Sequence, residues 1–169
     1  MGSKSPVNVL FICSANRFRS VIAAARFQNL LNSHQVEENW VISSAGTWAT
    51  KGLPPIAQAI HFAQTRGLEI ENIRSREVSD LILENADLII VMSEGQKEAL
   101  RSEFSNIEKR LFLLSEICEG QVYDIPDPIE KVDETPEDLG TEICKLISSG
   151  FDNIYKTARY FYGKRNDTP

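Results

Sequence analysis

The chain has 169 residues, 24 acidic against 18 basic side chains, a formal net charge of -6, and 42% hydrophobic and 25% charged residues. That length suits one domain over residues 1–169 with 1–6 as a loose end, and the composition supports a globular core and excludes wholesale disorder. The acidic balance argues against nucleic-acid binding, and no apolar run approaches the roughly 18 to 20 residues of a membrane span. With no secretory h-region at the start, a soluble protein located in the cytoplasm is expected. Cys13, Cys118 and Cys144 are odd in number and widely spaced, which fits neither a disulfide framework nor a zinc knuckle. His34 and His61 match no metal-ligand spacing, so no metal and no cofactor is expected.

Taken in chain order, Val7 to Cys13 is a continuous apolar run with β-branched residues, as in a strand buried on both faces. A helix follows to about Ser33, striped by Ile22, Ala23, Phe27, Leu30 and Leu31. Trp40 to Ser44 reads as a second strand, a turn-rich loop comes next, and a helix is predicted from Pro55 to Arg66. Ser79 caps a short helix through Leu83, and Asp87 to Ser93 is the clearest buried strand. Ser93 and Gln96 have the spacing of a capping box opening a helix to Phe104. Leu111 to Leu114 is a fourth apolar run, leading into a long acidic loop with Asp127. Thr135 and Pro136 open the last helical stretch, which Gly150 kinks or splits. Strands alternating with amphipathic helices predict an α/β fold, a parallel sheet covered on both faces. In such sheets ligands bind beyond the carboxyl ends of the strands, where Cys13, Ser44 and Ser93 all fall.

Between the first strand and its helix lies Cys13-Ser14-Ala15-Asn16-Arg17-Phe18-Arg19-Ser20. A loop of small and polar residues at a helix start can turn a nest of N–H groups toward an oxyanion, with the helix terminus adding partial positive charge. The same field favours a thiolate, which makes Cys13 a candidate nucleophile. Arg19 can hold two oxygens of a phosphoryl group, and Ser20 can donate to the thiolate. A thiolate attacking a phosphate ester also needs an acid for the leaving oxygen. Asp127, stiffened between Pro126 and Pro128, is the candidate.

Cys13 to Ser20, Ser44-Ala45-Gly46-Thr47 after the second strand, and Asp127-Pro128 together resemble the low-molecular-weight protein tyrosine phosphatases over roughly Val7 to Phe161. The resemblance implies a four-stranded parallel sheet with helices on both faces, the three-layer phosphotyrosine phosphatase I-like fold. It also implies two-step hydrolysis of phosphomonoesters through a phosphocysteine. Carried over by position, Cys13 is the nucleophile, Arg19 the phosphate clamp and Asp127 the general acid and then base. Ser14, Ala15, Asn16, Arg17, Phe18 and Ser20 form the phosphate loop, while Ser44 and Arg76 support it. The partners implied are a phosphotyrosine protein or a small phosphomonoester as substrate, with phosphate, sulfate or vanadate as pocket ligands.

Departures from the family pattern bear on substrate. Phe18 stands where a second cysteine is usual, so no disulfide can form within the loop to shield Cys13 from oxidation. Ala15 replaces a glycine and is strained if that backbone needs positive φ. Arg17 adds a cation at the rim and favours doubly ionised or acidic substrates. Ile73 replaces a histidine, so a polar network behind the loop is expected to be missing. Ile129 and Glu130 stand where aromatic residues normally follow Asp-Pro. Trp48 is either an aromatic wall of the pocket or a half-buried loop residue. Three rivals share parts of the pattern: a thiol-dependent arsenate reductase, a phosphocysteine carrier and a phospho-ligand binding module with little hydrolysis. The first needs resolving cysteines, and Met92-Ser93-Glu94 has none; Arg19 with Asp127 argues against the carrier.

Overall fold

Four parallel strands form a single sheet in the order β2-β1-β3-β4 in the computed structural model, which describes residues 5–128 and 134–167. The strands are β1 Val7–Cys13, β2 Trp40–Gly46, β3 Leu88–Val91 and β4 Leu111–Leu113. The helices are α1 Arg19–Ser33, α2 Ala57–Gln64, α3 Asp80–Glu84, α4 Glu94–Glu103, α5 Leu114–Glu119, α6 Pro136–Ser149 and α7 Phe151–Asn166.

The pleat explains why β1 reads as an apolar run with Asn8 as its one polar residue. Val7, Val9, Phe11 and Cys13 enter one core with α1, α2, α5, α6 and α7, whereas Leu10 and Ile12 enter a second core with Leu83 of α3 and Leu100 of α4. Strand β3 divides likewise, with Leu88 and Ile90 on the first side and Ile89 and Val91 on the second. Helices thus cover both faces, as expected. Because β1 pairs with β2 on one side and β3 on the other, the strand order reverses around β1. The crevice at that reversal lies directly beyond Cys13.

Element boundaries depart from the sequence reading in instructive places. Strand β2 continues two residues past Ser44 because Cys13 still has Gly46 as its register partner. The Ser93 hydroxyl accepts from the Gln96 N–H as a cap should, but the Gln96 side chain accepts from Met92 N at 2.9 Å, so the reciprocal half of the box is displaced by one residue. Helix α5 lies where a loop is expected. It is six residues long, opened by Glu116 accepting from Leu113 N and closed by Gly120 at φ 71°. Ser5 and Pro6 are held rather than loose: the Ser5 hydroxyl donates to Asn166 and Pro6 O accepts from Arg165 at 2.9 Å.

Gly150 splits the last helical stretch into α6 and α7, and its lack of a side chain is required by packing. A Cβ there would stand against the Cys118 thiol and 2.7 Å from its Cα. Gly150→Ala is therefore expected to destabilise the fold by about 1 to 3 kcal/mol through overpacking, read as a lower urea midpoint with an unchanged m-value. The same substitution at Gly163, where nothing lies within 4 Å, should not.

Candidate active site

Strand β1 ends at Cys13 and α1 begins at Arg19, so Ser14 to Phe18 must turn strand into helix in five residues. No side chain caps α1 and no acid lies in its first turn. Its leading N–H groups and dipole therefore face the loop without a competing side-chain acceptor. Cys13 is 2% exposed, its Sγ 3.1 Å from Ser20 Oγ.

Asn16 organises the floor of the loop. Its backbone is left-handed at φ 56°, which asparagine tolerates better than most residues, so the positive φ falls at Asn16 and not at Ala15. Its Oδ1 accepts from Arg76 N at 3.1 Å, and its Nδ2 donates to Ser20 Oγ at 3.0 Å and Ser44 Oγ at 2.9 Å. Since Ser20 accepts from Asn16, its own proton remains for the sulfur, the arrangement a thiolate requires. Arg76 Nε donates to Ser44 O at 3.0 Å, and burial lowers the pKa of its guanidinium. A polar network thus does stand behind the loop despite Ile73, built from Asn16, Ser20, Ser44 and Arg76.

The end of β2 clasps the loop from one side. Thr47 N donates to Cys13 O and Trp48 N to Ser14 O, both at 2.9 Å. This approach needs Gly46, because a Cβ there would press on Ser14 O and stand 2.8 Å from Ala49 Cβ.

From the other side, the segment carrying Asp127 docks on β3 and α4. Ile125 N donates to Met92 O, and Asp124 Oδ1 accepts from Glu94 N, both at 2.8 Å. Arg19, 5% exposed, donates through Nη1 to Ile125 O at 2.9 Å and through Nη2 to Asp127 Oδ2 at 2.7 Å. Residues 108 positions apart are thereby joined in a partly buried ion pair.

Cys13, Ser14, Asn16, Arg19, Ser20, Ser44, Arg76 and Asp127 are linked in this one region, but the remaining candidates differ. Phe18 places its ring in the first core at 4% exposure, so only its backbone can serve the loop. Arg17 is steered by Nε donation to Pro54 O at 2.8 Å, and Ala15 is exposed. Trp48 is not half-buried: its side chain stands 87% exposed beside the loop. Ile129 and Glu130 lie outside the described residues. Sequence reasoning missed Gln96, whose Nε2 donates to Ser14 Oγ at 3.1 Å, and the carbonyl of Ile125. A glutamine one turn beyond the carboxyl end of a central strand was the available signal for the first. A backbone carbonyl leaves none.

The other thiols do not resemble resolving cysteines. Cys118 is buried against Gly150, and burial, aided by Glu119, pushes its pKa up to about 12. Burial also raises that of Cys144, against the pull of Arg26 and Arg66.

The family model for low molecular weight phosphotyrosine protein phosphatase matches residues 8–159. The chain belongs to this family. It is accordingly a phosphatase, a phosphoric monoester hydrolase. The low molecular weight phosphotyrosine protein phosphatase of Mus musculus is 30% identical over 92% of this chain and 98% of its own. Among solved structures, the YwlE arginine phosphatase from Geobacillus stearothermophilus superposes with a TM-score of 0.78 at 26% identity, covering 89% of this phosphatase and 94% of that chain. The low molecular weight protein tyrosine phosphatase from T. tengcongensis gives 0.77 at 25% identity over 90% and 99%. In this phosphatase no described helix is long and apolar enough to cross a membrane.

Proposed function

We propose that the chain hydrolyses phosphomonoesters in two steps run by Cys13, Arg19 and Asp127. The Cys13 thiolate attacks phosphorus, an S–P bond forms, and the ester P–O bond breaks as the leaving oxygen takes a proton from Asp127. Water then attacks the phosphocysteine and passes a proton to Asp127. The S–P bond breaks, inorganic phosphate leaves and the thiolate returns. Loop N–H groups and the Arg19 guanidinium hold the phosphoryl oxygens throughout. The carrying observation is the convergence of three groups: a cysteine 3.1 Å from a serine hydroxyl at a helix start, an arginine that opens the same helix, and an aspartate 2.7 Å from that arginine.

The substrate we favour is phosphotyrosine on a protein, or a small aryl phosphate. Trp48 supports it, since its backbone is tied to the loop while its indole is free to meet a ring. A second substrate class is phosphoarginine, suggested by the likeness to an arginine phosphatase. Asp124 and Asp127 favour it, because the docked segment brings their carboxylates beside the loop, where they suit a guanidinium leaving group.

Release of inorganic phosphate from p-nitrophenyl phosphate and from phosphotyrosine, phosphoserine and phosphoarginine peptides tests both. Turnover without added thiol or partner protein is expected, competitively inhibited by phosphate or vanadate. No release from any of these substrates would sink the hydrolase reading. Thiol-dependent reduction of arsenate, without release of phosphate from any of these substrates, would favour the arsenate reductase instead.

A further inference from the structure

Gln96 sits in the first turn of α4, 7% exposed, yet both ends of its side-chain amide are engaged. Its Oε1 accepts from Met92 N at 2.9 Å and its Nε2 donates to Ser14 Oγ at 3.1 Å. The orientation is forced. A backbone N–H can only donate, so the atom facing Met92 is the oxygen, and the NH2 group is left for Ser14. Ser14 Oγ also lies 3.4 Å from Arg19 Nη2, and a guanidinium can only donate. Both lone pairs of the hydroxyl oxygen are therefore taken by donors, and its rotation is fixed from two sides.

We propose that Gln96 is a positioning residue of the phosphate clamp, acting on Arg19 through Ser14. This rests on the reading of Arg19 as that clamp. Arg19 Nη2 stands between Ser14 Oγ and Asp127 Oδ2, while Nη1 is held by Ile125 O. A bound phosphoryl group competes with Asp127 for the guanidinium. Once the carboxylate contact yields, Ser14 Oγ and Ile125 O are what keep the plane of the guanidinium aimed at the loop. Ser14 can hold its side only if its hydroxyl is turned the right way, and Gln96 turns it. The Met92 end anchors this relay to the carboxyl end of β3, next to the strand that carries Cys13.

The two ends of the amide can be separated by substitution. Gln96→Glu keeps an acceptor for Met92 N–H but offers Ser14 no donor. Ser14→Ala removes the intermediate while leaving the Gln96–Met92 bond in place. Inorganic phosphate affinity, measured by calorimetry or 31P line broadening, is expected to fall about tenfold in each. The double variant should bind phosphate no more weakly than the worse single variant, because both changes break one relay. Unchanged phosphate affinity in Gln96→Glu would overturn the proposal. So would losses that multiply in the double variant, which would mean that the new charge acts on the phosphate directly. Parental turnover of p-nitrophenyl phosphate is measured beside these. A parent that binds phosphate without hydrolysing it sinks the proposed reaction, while the affinities still decide the role of Gln96.

Discussion

Cys13→Ser is expected to lower kcat on p-nitrophenyl phosphate by more than about 10^4-fold while leaving phosphate binding intact. A serine hydroxyl at this place has no thiolate equivalent at neutral pH, and an alkoxide is a poor leaving group when the intermediate must be cleaved. Phosphate is held by loop N–H groups and Arg19, and neither is removed by the exchange. The loop should keep its shape, since Asn16 accepts from Arg76 and donates to Ser20 and Ser44, with no bond to Cys13 among them. Turnover by rapid mixing and phosphate affinity by calorimetry check the two halves separately. A variant that hydrolyses at the parental rate would remove Cys13 from the chemistry. One that also loses phosphate would mean that the sulfur is needed for loop structure.

Asp127→Ala should show a dependence on leaving group that no other variant shares. With alkyl phosphates kcat is expected to fall by about 10^2 to 10^4-fold, the usual worth of a positioned proton donor. With p-nitrophenyl phosphate the loss should be much smaller, because that oxyanion departs with little help. Phosphate affinity should hold or rise, because Arg19 loses the carboxylate that occupies its Nη2. Plotting log kcat against leaving-group pKa checks this: the parent should give a shallow line and the variant a steep one. Parallel lines would take the acid role away from Asp127.

How much of this was legible beforehand varies with the physics of each element. Strands β1 and β3 are plain in the sequence because burial on both faces leaves Asn8 as the one polar residue in the two runs. The Cys13 to Ser20 loop is legible because small and polar residues interrupt that apolar pattern just where a helix starts. Helix α5 is not, since six residues cannot display a helical period and only the Glu116 contact and Gly120 mark its ends. Gln96 has the spacing of a capping partner, and spacing cannot say which of two neighbouring N–H groups its oxygen takes. The strain expected at Ala15 falls one residue later because the loop turns at Asn16, where a side chain with three partners holds the left-handed backbone. Phe18 reads as a phosphate-loop residue from its place in the motif. Its ring turns inward because the first residues of α1 already pack on the sheet.

The division of β1 between two cores carries a consequence for how the enzyme tolerates mutation. The register that sends Val9 and Phe11 to one side and Leu10 and Ile12 to the other is the register that sets Cys13 opposite Gly46. Slippage by a single residue would exchange every side chain of the strand between the cores and put Ile12 where the sulfur belongs. The nucleophile is thus indexed by hydrophobic packing along a whole strand and not by its own contacts alone. Substitutions in β1 that blur the difference between its two sides should surface as lost turnover while the protein still folds.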